Sequence, residues 1–158
     1  MIFITLGSQK FQFNRLLIEI DRLAEEGKIS EKLFAQIGYS DYKPKNYDYK
    51  EFLNRDEFSQ IMKNCEKVIT HGGTGAIVGA IKQDKKVIAI PRLKKYEEHV
   101  DDHQIEITEM FESMNLIMAI DEVGMLENAM KKIASIELQE YESNTKKIID
   151  SIEQFIVD

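Results

Sequence analysis

The residues best suited to chemistry gather in two short stretches. The first is HGGTG at 71–75, a histidine followed by three glycines within four positions. Glycine admits positive φ and lets a backbone approach a ligand closely. The N–H groups that open a helix have no acceptor inside it and carry partial positive charge. Gly72, Gly73, Thr74 and Gly75 therefore read as an anion seat, for phosphate above all, with His71 as an imidazole donor at its entrance. A tight turn that needs glycine only for its geometry, beside a packed histidine, accounts for the same residues more plainly.

The second stretch is EHVDDHQ at 98–104. If it is helical, His99 and His103 share one face, with Asp102 nearby and Gln104 next in line. Polar groups so placed suit a hydroxyl-rich ligand, His103 and Gln104 foremost; a solvated acidic helix start is the alternative. The zinc pattern H-E-x-x-H fails, because Val100 stands where the glutamate base belongs and no third ligand is evident. No metal is expected. Arg92, Lys94 and Lys95 lie just upstream, either to attract a diphosphate or as an ordinary basic rim.

Two familiar phosphate signatures do not fit the glycine turn. A Walker loop needs Gly-Lys-Ser/Thr, and no lysine follows these glycines. The dinucleotide fingerprint G-x-G-x-x-G meets Val78 at its third position, and it belongs after the first strand of its unit rather than this late.

Both stretches follow strand candidates. Strands are expected at 2–6, 33–38, 67–70, 86–90 and 115–120, and helices at 13–26, 56–65, 75–83, 99–113, 122–133 and 137–157. Residues 39–50, rich in tyrosine and lysine around Pro44, read as loop with a short strand at most. Strands alternating with helices indicate a parallel sheet covered on both faces, an α/β, Rossmann-like fold. In such sheets ligands bind beyond the carboxyl ends of the strands, where both stretches fall. Residues 1–158 read as one domain. In the last helix Ile148, Ile149, Ile152, Phe155 and Ile156 form an apolar stripe that suits packing on its own domain or docking a partner.

The net charge of −7 argues against a general nucleic-acid binder, which needs a basic face. A single cysteine, Cys65, permits no intrachain disulfide and suits a reducing compartment. No run of about 18 apolar residues is present, and the N-terminus lacks the basic region of a signal peptide. A cytoplasmic protein is expected, with recruitment to the inner face of a membrane only through a partner.

Taken together, HGGTGA, the following strand and proline, and EHVDDHQ resemble the C-terminal, donor-binding half of two-domain GT-B glycosyltransferases, family 28. The resemblance runs from IFITLGSQKFQFNRL through QIG at 36–38 to DDHQIE, roughly two thirds of the chain. It is nearest to stand-alone versions of that half. These are the catalytic subunit of the dolichol-linked N-acetylglucosaminyltransferase and bacterial β-1,4-galactosyltransferase subunits of capsule and exopolysaccharide synthesis.

The resemblance implies a UDP-sugar donor, inverting and metal-independent transfer, and no cofactor. It implies that Gly7 and Ser8 line the cleft, that His71, Gly73, Thr74 and Gly75 hold the diphosphate, and that His103 and Gln104 contact the donor sugar. It implies a lipid-linked sugar acceptor and a membrane-associated acceptor-binding partner subunit, which would supply the second wall of the cleft and the catalytic base; no base is evident in this chain. Galactose is the first expectation for the sugar and N-acetylglucosamine the second. Many relatives carry an acid for the ribose where this chain has Gly79. That departure supports an alternative, a non-enzymatic regulatory module that binds a nucleotide.

Overall fold

The structure, a computed structural model, describes residues 1–140 and 143–157, and within the last helix the side chains of 147–154. Six strands, β1 (Ile2–Thr5), β2 (Leu33–Gln36), β3 (Asp48–Lys50), β4 (Lys67–His71), β5 (Lys86–Ile90) and β6 (Met118–Ala119), form one sheet in the order β3-β2-β1-β4-β5-β6. Every pairing is parallel. The helices are α1 (Asn14–Glu25), α2 (Arg55–Asn64), α3 (Thr74–Ile81), α4 (His103–Ser113), α5 (Leu126–Ile133) and α6 (Ser143–Val157). The expected Rossmann-like α/β fold is present.

Alternation along the strands splits the core in two. Ile2, Ile4 and Leu6 pack with Leu16, Leu17, Ile20 and Leu23 of α1 and with Leu126 and Ile133 of α5. Phe3, Val68 and Val87 face the other way, onto Met62 of α2, Ile77 and Val78 of α3, and Phe111 of α4. Local signals start and stop these elements. An Asn54–Glu57 capping box opens α2. The Lys86 ammonium donates to the carbonyls of Ile133 and Ile136, at 3.0 and 3.1 Å, and so closes α5.

Several boundaries differ from the sequence reading, among them α5, expected from 122 and beginning at Leu126. The tyrosine-rich segment holds a short strand, β3, as the sequence allowed, because buried Asp21 on α1 organises the chain before it. Asp21 accepts hydrogen bonds from the Tyr42 hydroxyl and from the Lys45 and Asn46 amides, at 2.5, 2.9 and 2.8 Å. The helix expected from 99 begins only at His103, whose N–H donates to the Asp101 carboxylate at 3.0 Å. The strand expected over 115–120 pairs only at 118–119, after Asn115 ends α4 in a left-handed turn at φ 57°. The last helix starts at Ser143 rather than 137.

Of the stripe on α6, Ile149 is fully buried among the side chains of the α3 face, whereas Ile148 is half-exposed. Phe155 and Ile156 lie outside the described side chains. Ile149 thus docks α6 on its own domain. Ile149→Ala should cost about 2–4 kcal/mol of unfolding free energy, and Ile148→Ala less than about 0.5 kcal/mol. Urea melts of the two variants check this, and equal losses would contradict the packing.

Candidate functional site

β1 and β4 are neighbours, but the chain after β1 returns to β2 on one side and the chain after β4 to β5 on the other. The sheet order reverses between them, which opens a crevice at their carboxyl ends. Gly7 stands at the end of β1 and His71 at the end of β4. Of the residues read as site candidates from the sequence, Gly7, His71, Gly72, Gly73 and Gln104 come together here, although they do not all face solvent.

The glycines serve space rather than φ. Gly72, Gly73 and Gly75 are absent from the positive-φ positions, which among the glycines are Gly7, Gly27 and Gly38. A Cβ on Gly72 would lie 2.7 Å from the Gln104 Cβ and 3.0 Å from the Thr108 methyl, so a side chain there would push α4 away. A Cβ on Gly73 would run into the His71 ring. Gly75 is exposed and meets nothing within 4 Å, which leaves the first turn of α3 open. No side chain caps that helix, and the Thr74 hydroxyl is buried without a protein partner. Its unclaimed first-turn donors remain available to an anion.

Gln104 holds this turn in place. Only 4% exposed, it accepts on Oε1 the N–H of Gly72 and the N–H of Arg92, both at 3.0 Å. Two donors on one oxygen fix the amide orientation, so Nε2 must donate, and it lies 3.3 Å from Nδ1 of His71. Nδ1 therefore accepts, and the ring proton sits on Nε2, the atom that faces Gly7. Burial, then the positive charge of Arg92, pushes the His71 pKa down to about 3, so the ring is neutral across the physiological range. His71 is thus a fixed neutral donor.

Arg92 proves to be no part of a basic rim. It is 1% exposed, while Lys94 and Lys95 are exposed. Its Nη2 donates to the carbonyls of Leu6 and Phe11 at 2.9 and 3.2 Å. Further contacts tie the chain after β1 to the chain after β5. The Gln12 amide donates to the carbonyls of Tyr96 and Glu97 at 3.0 and 3.2 Å. Phe11 stacks on His99 with ring centroids 4.7 Å apart. Arg15 grips buried Glu98 through two 3.0 Å hydrogen bonds.

His99 and His103 do not share a helical face, because His99 precedes α4. Nδ1 of His99 lies 3.2 Å from the Asp101 carboxylate, and Nδ1 of His103 lies 3.4 Å from that of Glu106. Ser8 is exposed beside the half-buried Gly7.

Beyond Gly7 the crevice continues to β2 and β3. A Cβ on Gly38 would lie 3.0 Å from the Gly7 carbonyl. Next to it, Tyr39 and Phe52 form an exposed edge-to-face pair with centroids 5.1 Å apart. The sequence reading missed this pair, since the two residues are distant along the chain and only the parallel register brings the ends of β2 and β3 together.

The sequence matches the glycosyltransferase family 28 C-terminal domain over residues 1–157. The chain belongs to that family. Solved structures with a similar fold include the glycotransferase of kitacinnamycin, with TM-score 0.61 and 15% identity over 97% of this chain and 38% of that one. The glycosyltransferase SnogD from Streptomyces nogalater has TM-score 0.60 and 16% identity over 97% of this chain and 38% of its own. Acinetobacter baumannii MurG has TM-score 0.60 and 14% identity over 96% of this chain and 49% of its own. These likenesses show the fold, that of the C-terminal half of GT-B glycosyltransferases. The chain spans less than half the length of each of these structures. No curated protein matches it. Among the described residues of this family 28 domain, no helix is long and apolar enough to cross a membrane.

A neutral buried histidine ties stability to pH. The folded His71 pKa of about 3 lies below the ordinary imidazole value of 6.5, so between these values the unfolded chain binds the extra proton. His71 therefore costs no stability above the upper value, and the protein loses about 1.4 kcal/mol per pH unit as pH falls through the window. Denaturant melts from pH 7 to 5 should show this slope, and His71→Asn should flatten it; an unchanged slope would refute the assignment.

Proposed function

We propose that this chain is the donor-binding, catalytic half of a bipartite inverting glycosyltransferase. Its donor is a UDP-sugar, with galactose the first choice and N-acetylglucosamine the second, and its acceptor is a lipid-linked sugar in capsule or exopolysaccharide synthesis. The observation that carries the reading is the uncapped, sterically open first turn of α3 in the crevice of a family 28 domain. The diphosphate lies at the N–H groups and hydroxyl of Gly73, Thr74 and Gly75, with the Nε2–H of His71 directed at it from below. Gly7 and Ser8 border the seat. Tyr39 and Phe52 offer a flat face on which the base stacks. The donor sugar lies towards His103 at the start of α4, while the buried amide of Gln104 keeps both loops in register.

In the transfer, the acceptor hydroxyl oxygen bonds to the anomeric carbon as the bond from that carbon to the β-phosphate oxygen breaks. The electron pair leaves with UDP and the hydroxyl proton goes to a base. Donors already aimed at the diphosphate stabilise its growing charge without reorganising. The acceptor wall and the base come from the membrane-associated partner subunit. The resemblance gives this chemistry no need of a metal or cofactor.

Isothermal titration of the isolated protein with UDP should saturate at or below about millimolar concentration; no saturation there would overturn the donor-binding reading. Gly79 is a further test. A Cβ there meets nothing within 4 Å and φ is ordinary, so Gly79→Glu fits without strain. Supplying the absent carboxylate should tighten UDP binding roughly five- to tenfold through a charge-assisted hydrogen bond to the ribose. An unchanged affinity would place the ribose elsewhere. The glycine at 79 also favours the second reading, a regulatory nucleotide-binding module. Reconstituted transfer with partner and labelled UDP-sugar separates the two, since His103→Ala slows transfer in an enzyme and leaves it unchanged if the domain only regulates.

A further inference from the structure

Buried behind the glycine turn is a charge that the protein itself leaves unmatched. Arg92 is 1% exposed, and its Nε and Nη1 are buried without a protein partner. The nearby carboxylate, Glu98, accepts both 3.0 Å hydrogen bonds from Arg15 and another from the Leu93 N–H at 3.0 Å. Among the described residues no carboxylate lies within ion-pair distance of Arg92. Two guanidiniums and one carboxylate leave a net positive charge. Arg15 and Arg92 both lie over the Phe13 ring, at 5.5 and 5.4 Å from its centroid, so an apolar medium screens that charge weakly.

The position of the charge is fixed from two sides. The Arg92 backbone N–H shares the Gln104 oxygen with the Gly72 N–H, one residue before the Gly73 cap of α3. Its guanidinium holds the carbonyls of Leu6 and Phe11, which bracket Gly7 and Ser8. Holding an unmatched guanidinium in the interior costs several kcal/mol, and an anion in the adjacent crevice offsets that cost.

We propose that Arg92 is the fixed cation of the seat, a positioning residue that anchors the chain after β1 and lends its charge from below to a bound diphosphate. This rests on the donor-binding reading and deepens it. The seat then selects a nucleoside diphosphate over an uncharged nucleoside by a charge the ligand never touches. Burial lowers the Arg92 pKa only to about 10, so it stays charged at neutral pH. Burial, and then the positive charge of Arg92, keep the neighbouring His71 ring neutral.

The test compares Arg92→Gln and Arg92→Lys with the unaltered protein, using UDP and uridine as separate ligands. Arg92→Gln should weaken UDP by about tenfold or more and uridine by less than about twofold, and Arg92→Lys should recover most of the UDP affinity. Equal weakening of the two ligands, or a lysine variant no better than glutamine, would overturn the proposal. NMR titration of the His71 ring gives a ligand-free readout: its pKa should rise in Arg92→Gln and stay low in Arg92→Lys, and an unmoved value in Arg92→Gln would also overturn the proposal. If the unaltered protein binds no UDP, the donor reading fails and the His71 titration alone judges Arg92. Should Arg92→Gln not fold, Glu98→Gln decides. It leaves both guanidiniums in place and should tighten UDP binding several-fold, whereas unchanged or weaker binding would count against Arg92.

Discussion

A single side-chain amide holds the site together. The Gln104 oxygen receives the N–H groups of Gly72 and Arg92, and its nitrogen reaches the His71 ring. β4 and β5 are paired along their length, but pairing ends where the loops begin, and loops that leave a sheet diverge unless something joins them. Gln104 joins them and in the same contact fixes the histidine tautomer. The close packing of Gly72 on α4 follows from this geometry, since Gln104 can reach the turn only if no Cβ intervenes. An unpaired amide here would cost more than its bonds contribute, because the site is dry.

On the proposed reading, the site divides labour between two basic side chains. His71 is held neutral and gives direction, through one N–H on a defined atom. Arg92 keeps its charge and gives field, through a guanidinium that reaches no solvent. A charged histidine beside a buried arginine would repel it, so the charge on Arg92 and the neutrality of His71 support each other. On the proposed reading the anion seat is thereby cationic without exposing a cation, and the overall charge of −7 does not argue against it.

Much of this was legible in the sequence because it is local. The alternation of β-rich runs with amphipathic stretches such as Leu16, Leu17, Ile20 and Leu23 carries the fold, and a strand–glycine–helix junction announces a crevice in any parallel sheet. What escaped depends on tertiary contact. The helical reading of 99–103 overlooked the bond from the His103 N–H to Asp101, which sets the helix start. Arg92 resembles its neighbours Lys94 and Lys95 in composition, and only the carbonyls of Leu6 and Phe11, more than eighty residues away, draw it inside. Positive φ is not what the turn glycines serve; Gly72 and Gly73 give clearance for Gln104 and His71, which no single stretch of sequence encodes.

On the proposed reading, the arrangement also bears on how one wall of a cleft can serve a two-part enzyme. All the polar groups gathered at the crevice, from Gly7 across His71 to α4, belong to one wall, and this chain covers 38–49% of the solved structures of like fold. On the proposed reading, the diphosphate sits on that wall with its outer side wet, and water screens the field of Arg92. Closing a second wall over the donor expels that water and raises the effective strength of every fixed donor and charge beneath it. A seat whose charge is buried rather than exposed gains most from such closure, since Arg92 has no solvation of its own left to lose. Donor capture can then remain weak in the free subunit while stabilisation of the departing diphosphate becomes strong only when acceptor and partner are in place, which guards the sugar against transfer to water.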